Sequence, residues 1–580
     1  MAARRVALLS TGASRRSTVA GLAPVLVAAV AVAWPLVRVA RAAAASPGAF
    51  WFGADGPEME LRTLAAARGH LALGSFSVYG WQHPGPALYY WFAPFYAALG
   101  REPAGMIVAT VVANVAGLTG LVALIGWCGG RRSAWIAVVA VLAFLWRFGL
   151  EGLWVSWNPN LTVVPMALLV VATAAVLSGR RWAVPLVVLL ASWTVQAHLG
   201  TAIVVAGLVL LAAVGGWRSA RGDDDGGQAG RRAWRGPGLA GAAIALVLWT
   251  PALVDQFGGS GNMSTVLGYM VRGEPGPDAP TWTPHPEPAF TPWEAVKEVG
   301  LVGSLLSSHE TGRFVGPDRS YALRIRNRGS LAAVFVALVV ANAAVAWRRR
   351  HRRDLSAPLA GTVALAGLLT CVSAMSARGN PSHHIVAFAA GVGLVAWLAL
   401  ALAAVDHVAE RWPARWTPPP PPDRGAGWHG ALAVAAACLL LVFVTVTLPL
   451  VRRPFGLIDV DIPEVAAIVE AIGPRPGERI VVDADRTADG LLLLAVLDLA
   501  VDDHDVRVTE EWQVYFTAEQ DMPTTWDRSV YLDLPGGPPI ASAWRARGTV
   551  RDGAGRNLRV LVRPGPSPFP SESSDPTEGA

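Results

Sequence analysis

HPGPALYYWFAPFYAALG (83–100) is the stretch on which the reading of this chain turns. If it crosses a membrane, every later segment changes side. Its apolar part, 86–99, is 14 residues long and is interrupted by Pro94. A membrane-crossing helix takes roughly 20 mostly apolar residues. Tyr89, Tyr90, Trp91, Phe95 and Tyr96 suit the headgroup boundary instead. The stretch is therefore expected as a juxtamembrane helix lying on the outer surface.

With 86–99 kept out of the bilayer, the remainder falls into order. The chain has 580 residues, 53% of them hydrophobic and 16% charged. Soluble domains carry about 25% charged residues, so the deficit points to lipid. Eleven apolar runs read as spans: 19–40, 104–127, 133–149, 161–178, 183–197, 200–217, 238–254, 331–347, 357–376, 385–404 and 428–450. The first could pass for a cleaved signal, since ARAAAA follows it, but the many later spans favour a retained anchor. Lys and Arg number 21 in the links that this topology puts inside (1–18, 128–132, 179–182, 218–237, 348–356 and 405–427) and 1 in the short outer links 150–160, 198–199 and 377–384. That asymmetry places the N-terminus in the cytoplasm and the C-terminus outside. The sequence pI of about 9.6 is thereby explained by the bilayer, without nucleic acid.

The fold class is thus a polytopic α-helical membrane protein of about eleven spans. It carries a first outer loop (41–103), a second long outer loop (255–330) and a small extracytoplasmic α/β domain. The membrane domain covers 1–450 and the α/β domain 451–565. In that domain ERIVVDAD, DVRVTEEW, RSVYLDLP and NLRVLVRP read as strands and TADGLLLLAVLDLA as a helix. Residues 566–580 read as a disordered tail, and the Gly- and Pro-rich pieces at 218–237 and 417–425 as solvated linkers. Cys128, Cys371 and Cys438 show no disulfide or metal spacing.

Polar groups gather on the outer side. Asp55, Glu58, Glu60, Arg62 and His83 lie on the first outer loop. EGLWVSWNPN supplies Glu151 and Asn158, WTVQAHLG supplies Gln196 and His198, and WTPALVDQFGGSGN supplies Asp255 and Gln256. Each has a plain structural reading. Glu58 or Glu60 could simply be solvated, and His198 could bond a backbone carbonyl. Asn158 could start a span, and Asp255 could close one. Together they suggest one outer cavity, because ionisable groups beside hydrocarbon are costly.

The order of these pieces resembles the aminoarabinose transferases of lipid A and the protein O-mannosyltransferases, members of the GT-C class of polytopic glycosyltransferases. The carrying features are a carboxylate just after span one, an acid-and-arginine run and HPGPALYYW. The later W-N-P, Q-x-H-x-G and W-x-P-x-L-x-D-Q with a following G-N are similar to an actinobacterial branch of the class. The resemblance covers roughly 20–265. It implies transfer of a sugar from a polyprenyl-phosphate carrier at the outer face, with Asp55 as general base. Two features depart from the pattern. Gly85 splits the double proline, and Gly56 stands where a second acid would follow Asp55, which displaces that carboxylate to Glu58 or Glu60.

Such a transfer needs a base for the acceptor hydroxyl, worth typically 10²–10⁴-fold, and donors for the leaving phosphate. Arg62, His83 and His198 are candidates for the phosphate, and Tyr89, Tyr90 and Trp91 for the prenyl chain. Glu151, Asn158, Gln196, Asp255 and Gln256 would line the pocket. The expected partners are a polyprenyl-phosphate-linked sugar, a cell-envelope acceptor (glycan, glycolipid or protein) and the lipid bilayer. No cofactor is called for, although Asp55 and its neighbours are compatible with a divalent metal. The competing readings are a transporter or flippase for a lipid-linked sugar and a non-catalytic envelope scaffold.

Overall fold

The computed structural model describes residues 2–45, 55–221, 228–306, 328–411, 463–509 and 520–566 plus 569, apart from short breaks at 278, 280–282, 284–285, 353, 380–382, 485–488, 521, 535–543 and 552–555. The eleventh expected span, 428–450, and the linker 417–425 lie outside them. Among the described residues, 8 helices are long and apolar enough to cross a membrane. One of these, α4 (Pro103–Phe148), is two helices joined at Gly130, whose φ of 81° is left-handed and breaks the run. It therefore accounts for two of the expected spans. The expected span at 183–197 is the shorter helix Arg181–Ala197.

The chain divides into two compact units, the first comprising 1–41, 110–250 and 287–455. It holds the short α5 (Glu151–Trp154) and most of the apolar helices: α6 (Val163–Leu177), α7 (Val184–Ala197), α8 (Ala202–Arg221), α9 (Gln228–Gly258, to residue 250), and, after α10 (Asn262–Arg272) of the other unit, α11 (Pro292–Gly303), α12 (Arg328–Arg348), α13 (Ser356–Ser376) and α14 (Ala389–Arg411). The packing needs small residues. A Cβ on Gly393 would stand 2.0 Å from the Gly303 carbonyl oxygen, so α11 and α14 touch backbone to backbone there. The links meet in two groups. In one, Arg180 donates to the Trp127 carbonyl (3.1 Å), Arg132 to that of Val405 (3.1 Å), and Arg349 to Asp354 (2.6 Å) and Glu410 (3.0 Å). In the other, the links 150–160, 198–199 and 377–384 come together. The linker expected over 218–237 is mostly helix, since α8 runs to Arg221 and α9 starts at Gln228. Ala- and Arg-rich sequence propagates a helix readily, and this outweighs the glycines.

The second unit comprises 42–109, 251–286 and 456–580. It contains α2 (Asp55–Ala67), the small hairpin β1 (Phe76–Ser77) and β2 (Trp81–Gln82), α3 (Ala87–Ala98) and α10 (Asn262–Arg272). At 12 residues α3 is about 18 Å long, too short to span. The C-terminal part is a five-stranded sheet, order β4-β3-β5-β7-β6 (Asp505–Val508, Arg479–Ala484, Arg528–Asp533, Asn557–Pro564, Arg545–Arg551). β3 pairs parallel with β4 and β5, and β7 pairs antiparallel with β5 and β6. Its helices are α15 (Pro463–Ile472) and α16 (Asp489–Val501). The reading from sequence passed over β6 and α15. It also put Phe569 in a disordered tail, whereas that ring is buried against Trp544, centroids 5.7 Å apart.

Candidate active site

α2 opens with Asp55 and Glu58 in its first turn, where carboxylates complement the exposed amides of a helix start. From Pro57 to Ala66 the helix is buried, charges included: Glu58 and Arg62 are 1% and 2% exposed. The plain reading of Glu58 as a solvated loop acid is therefore overturned. Asp55, Glu58 and Arg62 are spaced by three and four residues, so they share one face. Arg62 pairs through Nε with Glu58 and through Nη1 with Oε1 of Gln82 at 2.9 Å. The Phe76 amide donates to the same Glu58 oxygen at 3.3 Å. Burial pushes the Glu58 carboxyl up to about 7; Arg62 pulls it back, and the negative charge of Asp55 adds to the rise. A buried guanidinium that stays charged needs such a counter-ion.

Glu60 lies on the opposite face. Its Oε1 accepts from the Tyr96 hydroxyl on α3 at 2.8 Å, and its buried Oε2 has no hydrogen-bond partner among the described residues. Burial pushes this carboxyl up to about 8 despite the Tyr96 bond. The two candidate second carboxylates are thus sorted: Glu58 stands with Asp55, and Glu60 joins α2 to α3.

The hairpin and the HPGP corner complete this group. The His83 amide donates to the Ser75 carbonyl (2.8 Å) and the Gly74 amide to the His83 carbonyl (2.9 Å). A Cβ on Gly74 would meet His83 Cβ at 2.8 Å, so only glycine lets the strands close here. The His83 ring is buried, edge-on to Trp81 at 5.4 Å, and Trp81 tilts against Tyr269 of α10. Of the aromatic shelf, Tyr89 turns inward and bonds Ser75. Burial, first, and the Glu58 charge hold its hydroxyl well above the usual range. Tyr90 is exposed and donates to the Leu71 carbonyl (3.0 Å), and Trp91 donates to that of Ala109 (3.0 Å).

Asn262 starts α10 and clamps β2. Its Oδ1 accepts from the Gln82 amide and its Nδ2 donates to the Gln82 carbonyl, both at 2.8 Å. Asp255 holds the preceding turn, accepting from Ser260 N (3.0 Å), Ser260 Oγ and Asn262 N (3.2 Å). Gln256 exchanges two bonds with Ser264 (2.7 and 3.1 Å). Hydrogen bonds therefore run from Asp255 through Asn262, Gln82 and Arg62 to Glu58. Gln82 carried no signal in the sequence beyond its place in WQHPGP, because its partners lie 20 and 180 residues away.

In the first unit Asn158 donates to the Ala197 carbonyl (3.0 Å) and Gln196 to that of Leu248 (2.9 Å). His198 is buried and its ring stands 6.2 Å from that of His384, which is edge-on to Trp157 at 5.2 Å. His384 escaped the sequence reading; the adjacent pair at 383–384 beside the tenth span was the available signal. Glu151 opens α5. Among the described residues no three His, Cys, Asp or Glu side chains gather as a metal-holding group.

The chain is similar to two crystal structures of ArnT from Cupriavidus metallidurans. One is bound to undecaprenyl phosphate, with 14% identity and a TM-score of 0.46 over 92% of this chain and 97% of that one. The other is the apo state, with 14% identity and a TM-score of 0.45 over the same shares. No family model and no curated protein matches the chain.

Proposed function

We propose that this protein transfers a sugar, with inversion, from a polyprenyl-phosphate carrier to a cell-envelope acceptor at the outer face of the cytoplasmic membrane, with Asp55 as general base. The observation that supports it most is the arrangement at the head of α2. An exposed carboxylate stands one turn before a buried Glu58–Arg62 pair, which Gln82 and the Phe76 amide hold in place. In the proposed reaction the acceptor hydroxyl attacks the anomeric carbon and gives its proton to Asp55. The bond from that carbon to the phosphate oxygen breaks, and polyprenyl phosphate leaves with the electron pair. Glu58 adds negative charge near an oxocarbenium-like transition state, and Arg62 favours its ionised form against burial.

His83 is proposed as a donor to the carrier's phosphate. Tyr90 and Trp91 are proposed for the prenyl chain. The Lys and Arg asymmetry supports a cytoplasmic N-terminus and an outer C-terminal domain. The test is to incubate purified full-length protein with a panel of polyprenyl-phosphate sugars and envelope acceptors and follow donor consumption. One donor should be consumed by the wild type and none by Asp55→Asn. A folded wild type that consumes no donor overturns the reading in favour of transport or scaffolding.

A further inference from the structure

The C-terminal domain has no role in the reaction above, yet it meets α2. α16 packs on α2, and the contact is closed by two arginines. Arg68, the first residue beyond α2, donates to Asp503 Oδ1 at 2.7 Å and to the Ala500 carbonyl at 3.1 Å. Arg101, just after α3, donates to both Asp503 oxygens (3.0 and 3.1 Å) and to the Val501 carbonyl (3.3 Å). The two guanidiniums thus occupy the negative end of α16, where cations are favoured. Bonds from Arg68 and Arg101 hold the Asp503 carboxyl below its ordinary range.

The backbone adds an independent observation. Three described residues other than glycine have positive φ, and two of them, Arg101 (65°) and Asp503 (60°), are partners in this contact. Left-handed backbone at an arginine is sparsely populated and persists where its surroundings over-determine it. Arg68 is itself tied to α2, its amide donating to the Leu64 carbonyl at 3.1 Å.

We propose that the C-terminal α/β domain is a positioning element for the acidic helix: Asp503, gripping Arg68 and Arg101, fixes the far end of α2 while Glu58–Arg62 fixes the near end, so that Asp55 is held in one place. The proposal rests on the transferase reading for its catalytic consequence, though not for the docking itself. Asp503 is then a positioning residue, acting through a helix about 20 Å long. Because the ion pairs are solvent-exposed their contribution to stability is small, but a displacement of about 1 Å at a reacting group can cost 10²-fold in rate.

The test uses the full-length protein and two readouts. Amide hydrogen exchange over 55–67, measured without substrate, should quicken about tenfold in Asp503→Gly, which spares the left-handed backbone, and in the double variant Arg68→Ala/Arg101→Ala. Donor turnover should fall roughly tenfold in kcat with an unchanged KM, and Asp503→Asn should recover part of both losses. Unchanged exchange over 55–67 in both Asp503→Gly and the double arginine variant overturns the proposal, as does a loss confined to KM. Faster exchange in a protein whose wild type consumes no donor upholds the docking and sinks the transferase reading alone.

Discussion

The candidate site groups of the two units differ in what they bond. Around α2, charged side chains bond one another: Asp55 and Glu58 share a face with Arg62, and Gln82 and Asn262 carry the chain on to Asp255. In the membrane unit the described bonds of Asn158 and Gln196 are neutral, and both go to backbone carbonyls, Ala197 at the end of α7 and Leu248 within α9. One arrangement assembles charge where a reaction can use it. The other ties helix backbone to a neighbouring link or helix, in keeping with the need of carbonyls in nonpolar surroundings for donors. On the proposed function, these polar residues divide into those that would act on a substrate and those that satisfy the fold. Their bonding partners tell them apart.

The sharpest way to break this contrast is at Asp55. Asp55→Asn should lower transfer by about 10²–10⁴-fold, the worth of a general base, with insertion and helicity unchanged by circular dichroism. An active Asp55→Asn removes that residue from the mechanism. The next largest effect separates the two glutamates. Glu58→Gln leaves Arg62 buried without its counter-charge and should reduce turnover by roughly 10²-fold, of the order found for losing one preorganised electrostatic contact. Glu60→Gln, on the other face of the helix, should change it less than about tenfold. Equal losses would erase the distinction. In the wild type, activity should rise with pH through about 7, because Glu58 must give up its proton to serve as an anion. A rate independent of pH from 6 to 8 would contradict that.

The sequence made the spans legible because crossing a bilayer needs little more than a long apolar run, which any residue order satisfies. α3 was legible for the converse reason, being too short and carrying Pro94. β3, β5 and β7 announced themselves through Val, Ile and Leu, whereas β6, RARGTVR, is largely exposed and offered no apolar alternation. At the candidate site, the density of charge in 55–62 singled out the helix α2 that carries it. The choice between Glu58 and Glu60 was hidden because it depends on helical phase. Residues two apart on a helix differ by roughly 200°, and read as a loop the pair looks equivalent. Gln82 and His384 were hidden for another reason. Each acquires meaning from a partner on a distant link, and no local pattern records that.

Smaller effects are expected on the membrane unit. Asn158→Ala strands the buried Ala197 carbonyl, a loss of about 1–3 kcal/mol. Thermal unfolding in detergent should register this, with turnover per folded molecule within about threefold of wild type. A loss of turnover as large as that of Glu58→Gln would move Asn158 into the reacting group and blur the contrast between the units.

The smallest effect concerns Glu60 and has a definite sign. Its carboxyl titrates near 8 in the folded protein against an ordinary value of 4.5, because burial disfavours the anion. Between those two values the folded state binds more protons than the unfolded one, so stability is greatest at low pH and falls as pH rises towards 8. Glu60→Gln keeps an acceptor for the Tyr96 hydroxyl and adds a donor at the position of the orphaned Oε2. It should therefore flatten that slope and raise the melting temperature at pH 8–9 by roughly 2–4 °C, the shift of about 1 kcal/mol in a domain of this size. At pH 5, where Glu60 is already protonated, the variant and the wild type should melt together. A gain at pH 5 as large as at pH 9 would show that charge at Glu60 is not what burial opposes. Glu60 would then have to be returned to the same class as Glu58.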